Sequence, residues 1–250
     1  MRAALLALVL LAAWQAYATL GGVDDFLLPA PTEIAAALVD DRRLLWSDFQ
    51  VTAVEVLLGI VVAIVAGVAC ALAIHLSQTL RRTVYPLLIA SQTIPIVIIA
   101  PLLVAWLGYD LAPKLAIVAL VCFFPVTVTA LDGLRSVDPE VRKLMRTLDA
   151  SRLQTLRRVE LPWALPAIFS GVRIAVTVAV IGAVLAEQAG SSEGLGHLIL
   201  QAIPQFETAR AYAAVVILAA FAVALFTLLT AAERLALPWA HRTQPQGDRS

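Results

Sequence analysis

Charge is scarce in this chain. Only 14% of its 250 residues are Asp, Glu, Lys or Arg, while 61% are hydrophobic; a soluble domain carries about 25% and 45–50%. That excludes a soluble enzyme, a secreted disulfide scaffold and a disordered protein. Basic and acidic residues balance at 18 each, so a nucleic-acid partner has no electrostatic support and none is expected. Cysteine is rare: Cys70 and Cys122 sit in different apolar runs without flanking metal ligands and read as small buried hydrophobes. His75 and His197 stand alone, so no metal site is expected. Lysine is nearly absent. Lys114 and Lys143 are each followed by leucine, so no G-x-x-x-x-G-K-[ST] phosphate loop exists, and the chain itself is expected to bind no nucleotide cofactor.

What is present is a series of long apolar runs. About 20 apolar residues at 1.5 Å each cross a hydrocarbon core of about 30 Å. Six runs qualify: 3–23, 56–74, 83–109, 115–131, 161–186 (interrupted by Arg173) and 211–232. The fourth is short, contains Pro125, and is expected to borrow Leu111–Pro113. The first resembles a cleavable leader up to Ala16-Tyr17-Ala18, yet stays uncharged to Val23, which favours a retained helix. The expected fold class is therefore all-α: a polytopic membrane protein of six transmembrane helices. One membrane domain is expected over 1–240, with a polar, disordered tail over 241–250.

Basic residues orient it. Thirteen of the 18 fall on one side, among them Arg81, Arg82, Arg135, Arg142, Arg152, Arg157 and Arg158, and only Arg42, Arg43, Lys114 and Arg210 fall on the other. By the positive-inside rule both termini and the 132–160 loop are cytoplasmic. On the outer side, residues 31–46 mix Ile34, Leu38 and Leu45 with charge, as an interfacial helix would.

Small residues recur every fourth position in the second run (Gly59, Ala63, Gly67, Ala71) and the fifth (Gly171, Ala175, Ala179, Ala183). Such stripes let backbones approach in lipid, and ordinary close packing is expected over a specialised dimer seam. Pro86, Pro95 and Pro101 interrupt the third run, with Ser91-Gln92-Thr93 just ahead of Pro95. Polar groups at a helix break face protein or a water path.

The 132–162 loop carries the most information. Asp138 caps a helix with Pro139 at its first position, and Val141, Leu144, Met145 and Leu148 share one face. Ser151 can cap a second short helix bearing Leu153, Leu156 and Val159, ended by Pro162. Physics alone leaves two readings open: an apolar face lying on the inner leaflet, or a plug for a groove on a cytoplasmic partner.

The order helix, turn, helix, then Val159-Glu160-Leu161-Pro162 resembles the cytoplasmic coupling loop of ABC-importer permeases. That pattern has a Glu-Ala-Ala triplet, then a glycine, then a closing hydrophobic–x–Leu-Pro. Here Lys143-Leu144-Met145 replaces the triplet and Asp149 the glycine; Asp tolerates left-handed geometry at some cost. Residues 26–32, 91–95, 100–108 and Glu187 with Gly194-Leu195-Gly196 extend the resemblance over nearly the whole chain. The nearest branch serves nitrate, aliphatic sulfonates, taurine and pyrimidine precursors of thiamine.

The resemblance implies a type I importer permease: two copies of this chain, two ATPase subunits holding ATP and Mg, and one external solute-binding protein. It implies ATPase coupling through Val141, Leu144, Met145, Leu148, Asp149, Ala150, Ser151, Leu153 and Leu156. Ser91, Gln92, Thr93, Thr127 and Thr177 are candidate linings of the translocation path, although such hydroxyls also bond their own helix. Arg173 should face a cavity, pair with a carboxylate or snorkel inward. Glu187 either closes an outer gate by hydrogen bonding or is solvated. Glu55 is expected at the outer start of the second helix, with no transport role. Two other classes remain open: an ATP-independent channel or proton-coupled carrier using Glu187 and Arg173, and a membrane scaffold.

Overall fold

Apolar composition and interrupting prolines decide where this chain is helical and where it bends. A computed structural model describes residues 2–22, 24 and 26–239, and the expected polar tail over 241–250 lies outside them. The described residues are helical, with no strand. In order they form α1 (Arg2–Leu20), α2 (Pro31–Asp40), α3 (Arg42–Leu76), α4 (Gln78–Ser91), α5 (Ile96–Leu107), α6 (Leu111–Arg135), α7 (Pro139–Thr147), α8 (Arg152–Thr155), a π-helical turn (Leu156–Glu160), α9 (Leu161–Gly190), α10 (Leu195–Ala202) and α11 (Thr208–Ala236).

Among the described residues, four stretches are long and apolar enough to cross a bilayer unbroken: α3, α6, Arg152–Gly190 and α11. The expected third span is instead the pair α4 and α5, bent by 102°. Pro95 has no N–H and disfavours helix at the residue before it. It becomes the N-cap of α5, and the hydroxyls of Ser91 and Thr93 bond the carbonyls of Leu88 (2.7 Å) and Ala90 (2.8 Å). α1 runs for 19 residues, about 28 Å at 1.5 Å per residue. Among the described residues the six expected crossings thus correspond to four unbroken helices, one bent pair and α1.

α6 starts at Leu111, as expected from its short run. Residues 31–46, read as one interfacial element, divide at Asp41: α2 ends there and Arg42 opens the 35-residue α3. Arg210 at the start of α11 clasps Asp41 at that joint, with contacts of 2.7 and 3.1 Å.

The centre of the molecule is the packing of α3 and α9 on either side of α6. Ala63, Ala71, Ala175, Ala179 and Ala183 are fully buried, so both small-residue stripes are spent inside the chain's own bundle. Cys122 donates its thiol proton to the Ala175 carbonyl (3.3 Å). A Cβ on Gly171 would run into the Thr129 hydroxyl and lie 3.0 Å from the Pro125 carbonyl oxygen. Gly171→Val should therefore cost about 1–3 kcal/mol of overpacking and lower the melting temperature in detergent. The same residue at Ile174, which is 50% exposed, should leave melting unchanged.

Candidate functional site

Two polar assemblies stand at opposite ends of this three-helix core. The first is the hairpin between α6 and α9. The Asp138 side chain accepts from the Glu140 N–H (2.8 Å), capping α7. α7 ends with the amides of Asp149 and Ala150 bonding the carbonyls of Arg146 and Met145, both at 3.0 Å. Asp149 takes a φ of +52° there. This is the left-handed helix stop that usually holds glycine. Ser151 and Gln154 then form a reciprocal capping box that starts α8.

One face of α7 is tied to the bundle. Arg142 Nε donates to Glu160 Oε1 (2.9 Å), and its Nη2 donates to the carbonyls of Leu134 (2.9 Å) and Arg135 (3.3 Å). His75 Nε2, near the end of α3, lies 2.8 Å from Glu160 Oε2. The buried Glu160 carboxylate therefore joins α7, the foot of α9 and the end of α3. The other face is apolar and free: Leu144 and the C-cap Leu148 are more than half exposed and Val141 is 37% exposed, and Leu153 of α8, also more than half exposed, extends the ridge. Met145 and Ala150 are half-buried, while Asp149 and Ser151 are exposed.

Two expectations for this loop are corrected. Leu156 does not belong to the free ridge: it is 5% exposed and packs with Leu134 and Ala164. Nor does Pro162 end the second helix. The π-helical turn accommodates the missing proline N–H, and the helix runs on into α9.

The second assembly lies at the opposite end of the core, where the N-terminal part of α3, the start of α6 and the end of α9 meet. Thr52 donates its hydroxyl proton to Glu187 Oε1 (2.6 Å) and accepts from the Leu195 N–H (2.9 Å). Gly196 N–H donates to Glu187 Oε2 (2.5 Å), and Gly194 N–H to Asp48 (3.1 Å). Gly194 has a φ of +105°, and a Cβ there would strike the Glu187 carboxylate. Lys114 donates to Glu55 Oε1 at 2.7 Å. Thr52, Glu55, Lys114 and Glu187 are all buried. Glu187 is thus hydrogen-bonded, not solvated. Glu55 is a buried ion-pair partner well inside α3, not a carboxylate at the start of a helix. Lys114, counted among outer loop residues, is inside α6.

The expected path residues scatter. Ser91 and Gln92 border a cavity of about 300 Å³ at the α4–α5 break, with Thr93 beside them. Thr127 is buried and bonds the Phe123 carbonyl (2.7 Å); exposed Thr177 bonds that of Ile174 (2.6 Å). Arg173 pairs with Glu233 of α11 (3.2 Å). Arg173 and Glu187, fourteen positions apart on α9, are separated by about 21 Å along the helix, so they form no direct relay here.

Sequence reasoning missed Thr52, Asp48, Glu160, His75 and Glu233 as structural partners. One signal was available: Glu160 is the lone acid in a run of arginines, directly before Leu-Pro.

Residues 59–239 match the family described as "Binding-protein-dependent transport system inner membrane component". The chain is 41% identical over 218 residues to a "Probable ABC transporter permease protein" of Haemophilus influenzae, covering 87% of this chain and 89% of that one. It is 35% identical over 233 residues to the formylaminopyrimidine transport permease protein ThiX of Halalkalibacterium halodurans, covering 93% of each. Among solved structures, a chain of an amino acid ABC transporter with histidines superposes with a TM-score of 0.62 at 17% identity, over 80% of this chain and 95% of that one.

Removing one partner of a buried ion pair strands the other. Lys114→Met should cost about 3–5 kcal/mol, seen as a lower melting temperature in detergent. Glu55→Gln combined with Lys114→Met should recover most of it. Unchanged melting of the single variant would refute the pairing.

Proposed function

The chain belongs to the family of binding-protein-dependent transport system inner membrane components, and from that premise we propose that its 132–162 hairpin is the handle through which a separate ATPase drives import. The chain is the permease component of an ABC importer; in the proposal it binds no ATP or Mg and performs no covalent chemistry. Two copies, covering 1–240 as one membrane domain, pair with two ATPase subunits and receive solute from an external binding protein. The chain sits in the bacterial cytoplasmic membrane with the hairpin and both termini inside, as the distribution of arginine supports.

The observation that carries this reading is the two-sidedness of α7. An apolar ridge of Val141, Leu144, Leu148 and Leu153 stands in solvent, while Arg142 fastens the opposite side to Glu160. A short amphipathic helix with a free ridge suits a hydrophobic groove, and each leucine fully buried there contributes roughly 1.5–3 kcal/mol. Asp149, Ala150 and Ser151 shape the turn that presents Leu153 beside that ridge, and Met145 fills its base. Leu156 contributes from within, as packing beneath the hairpin. A push on α7 passes through Arg142 and Glu160 to α9, and through His75 to α3, tilting the two helices that flank α6.

The solute class proposed is a small heteroaromatic of the pyrimidine-precursor type, supported by the 35% identity to the formylaminopyrimidine permease over 93% of both chains. Sulfonate, taurine and nitrate are the competing solutes of the same branch. Ser91, Gln92 and Thr93 at the α4–α5 break are the proposed path lining in this state. Thr127, Thr177, Arg173 and Glu187 enter it only if the helices move.

Leu144→Asp should weaken recovery of the ATPase with the permease by about thirtyfold, the effect of losing one dominant contact of about 2 kcal/mol, and abolish uptake while the chain stays in the membrane. Full uptake by that variant would remove the docking argument. Glu160→Gln should behave differently: the ATPase co-purifies as before, hydrolysis continues, and solute uptake per ATP falls.

A further inference from the structure

Beneath the hairpin, on the side of α7 away from the apolar ridge, lies a cavity of about 440 Å³ lined by His75, Arg142, Arg146, Arg152, Thr155 and Glu160. Three guanidinium groups and one carboxylate border it. Arg142 and His75 are both engaged with Glu160. Arg146 and Arg152 are not: both are exposed, and among the described residues neither guanidinium has a hydrogen-bond or ion-pair partner. They come from two different helices, at the end of α7 and the start of α8, on either side of the left-handed Asp149. Both border the same concave surface.

We propose that this cavity is a binding site for a small phosphate-bearing anion, held by Arg146 and Arg152. The planar forks of two guanidiniums offer paired N–H donors to a tetrahedral oxyanion, the geometry for which arginine is best suited. Arg146 lies one helical turn beyond Arg142 and shares its bundle-facing stripe. A protein groove that grips Leu144 and Leu148 therefore approaches away from Arg146, which favours a small anion there over a carboxylate of the partner; Arg152 borders the docking turn at Ala150 and Ser151, so the test below includes the assembled ATPase. The phosphate comes either from a free metabolite or from the headgroup of an anionic phospholipid on the inner leaflet. An anion bridging the two arginines would stiffen the turn between α7 and α8. That regulatory consequence rests on the coupling reading above; the binding itself does not.

The test uses the full-length chain in neutral detergent with inorganic pyrophosphate as probe, read by equilibrium dialysis and by hydrogen exchange. One saturable site per chain is expected, with exchange slowed across 146–156. Affinity should fall about tenfold in Arg146→Gln or Arg152→Gln and about a hundredfold in the double variant, from the loss of charge-assisted hydrogen bonds. Neither residue contributes to the Arg142–Glu160–His75 joint, so both variants should fold; wild-type melting is the control. Nanodiscs separate the sources. Pyrophosphate binding blocked in phosphatidylglycerol but retained in phosphatidylcholine supports the site and identifies a lipid headgroup; binding retained in both supports it and identifies a free anion. No saturable binding, or equal binding by the double variant, overturns the proposal. Binding that vanishes when the ATPase is assembled on the chain also overturns it, by assigning both arginines to the protein interface.

Discussion

A single carboxylate, that of Glu160, connects the part of this chain that faces solvent to the part that sits in the membrane. It accepts from Arg142 of α7, touches His75 of α3, and stands on the turn that leads into α9. Burying such a group is costly without partners, and here both oxygens have one. The arrangement is consequently stiff where it must be: α7 cannot move independently of two membrane helices. Its other face is left with exposed Leu144 and Leu148, continued by Leu153 of α8, which lipid or a partner protein must cover.

The opposite end of the bundle is held by a different device. Glu187 receives a hydroxyl and a backbone amide, and Lys114 answers Glu55, so α3, α6 and α9 are cross-linked through polar contacts within a low-dielectric layer. Between the two ends the contacts are almost featureless: alanine and glycine stripes against valine. The backbones approach so closely along these stripes that a Cβ added at Gly59 would strike Val118 and one at Gly171 would strike Thr129.

Much of this was legible in the residues. The caps at Asp138 and Ser151, the left-handed tolerance of Asp149 and the ridge spacing of Val141, Leu144 and Leu148 are local properties, set by hydrogen bonds within a few positions. The four-residue stripes likewise announced close packing. The break at Pro95 was visible as a polar interruption but not as a turn of 102°, because a proline removes a constraint without specifying the angle that replaces it. Leu156 follows a different rule. Periodicity places it one turn beyond Leu153, but whether that position is free or covered depends on its neighbours in space, and Leu134 of α6 and Ala164 of α9 pack over it.

Composition and contacts within a single turn account for the solvent, the helical class, the sidedness of charge and the amphipathic hairpin. Which charges meet follows from long-range packing alone. Thr52 and Glu187 are 135 positions apart, Arg210 and Asp41 are 169, and His75 and Glu160 are 85; no local pattern encodes such pairs. A buried charge is tolerated only where a partner from another helix arrives within hydrogen-bond reach. That depends on the packing of α3, α6 and α9 as a set, not on any one of them.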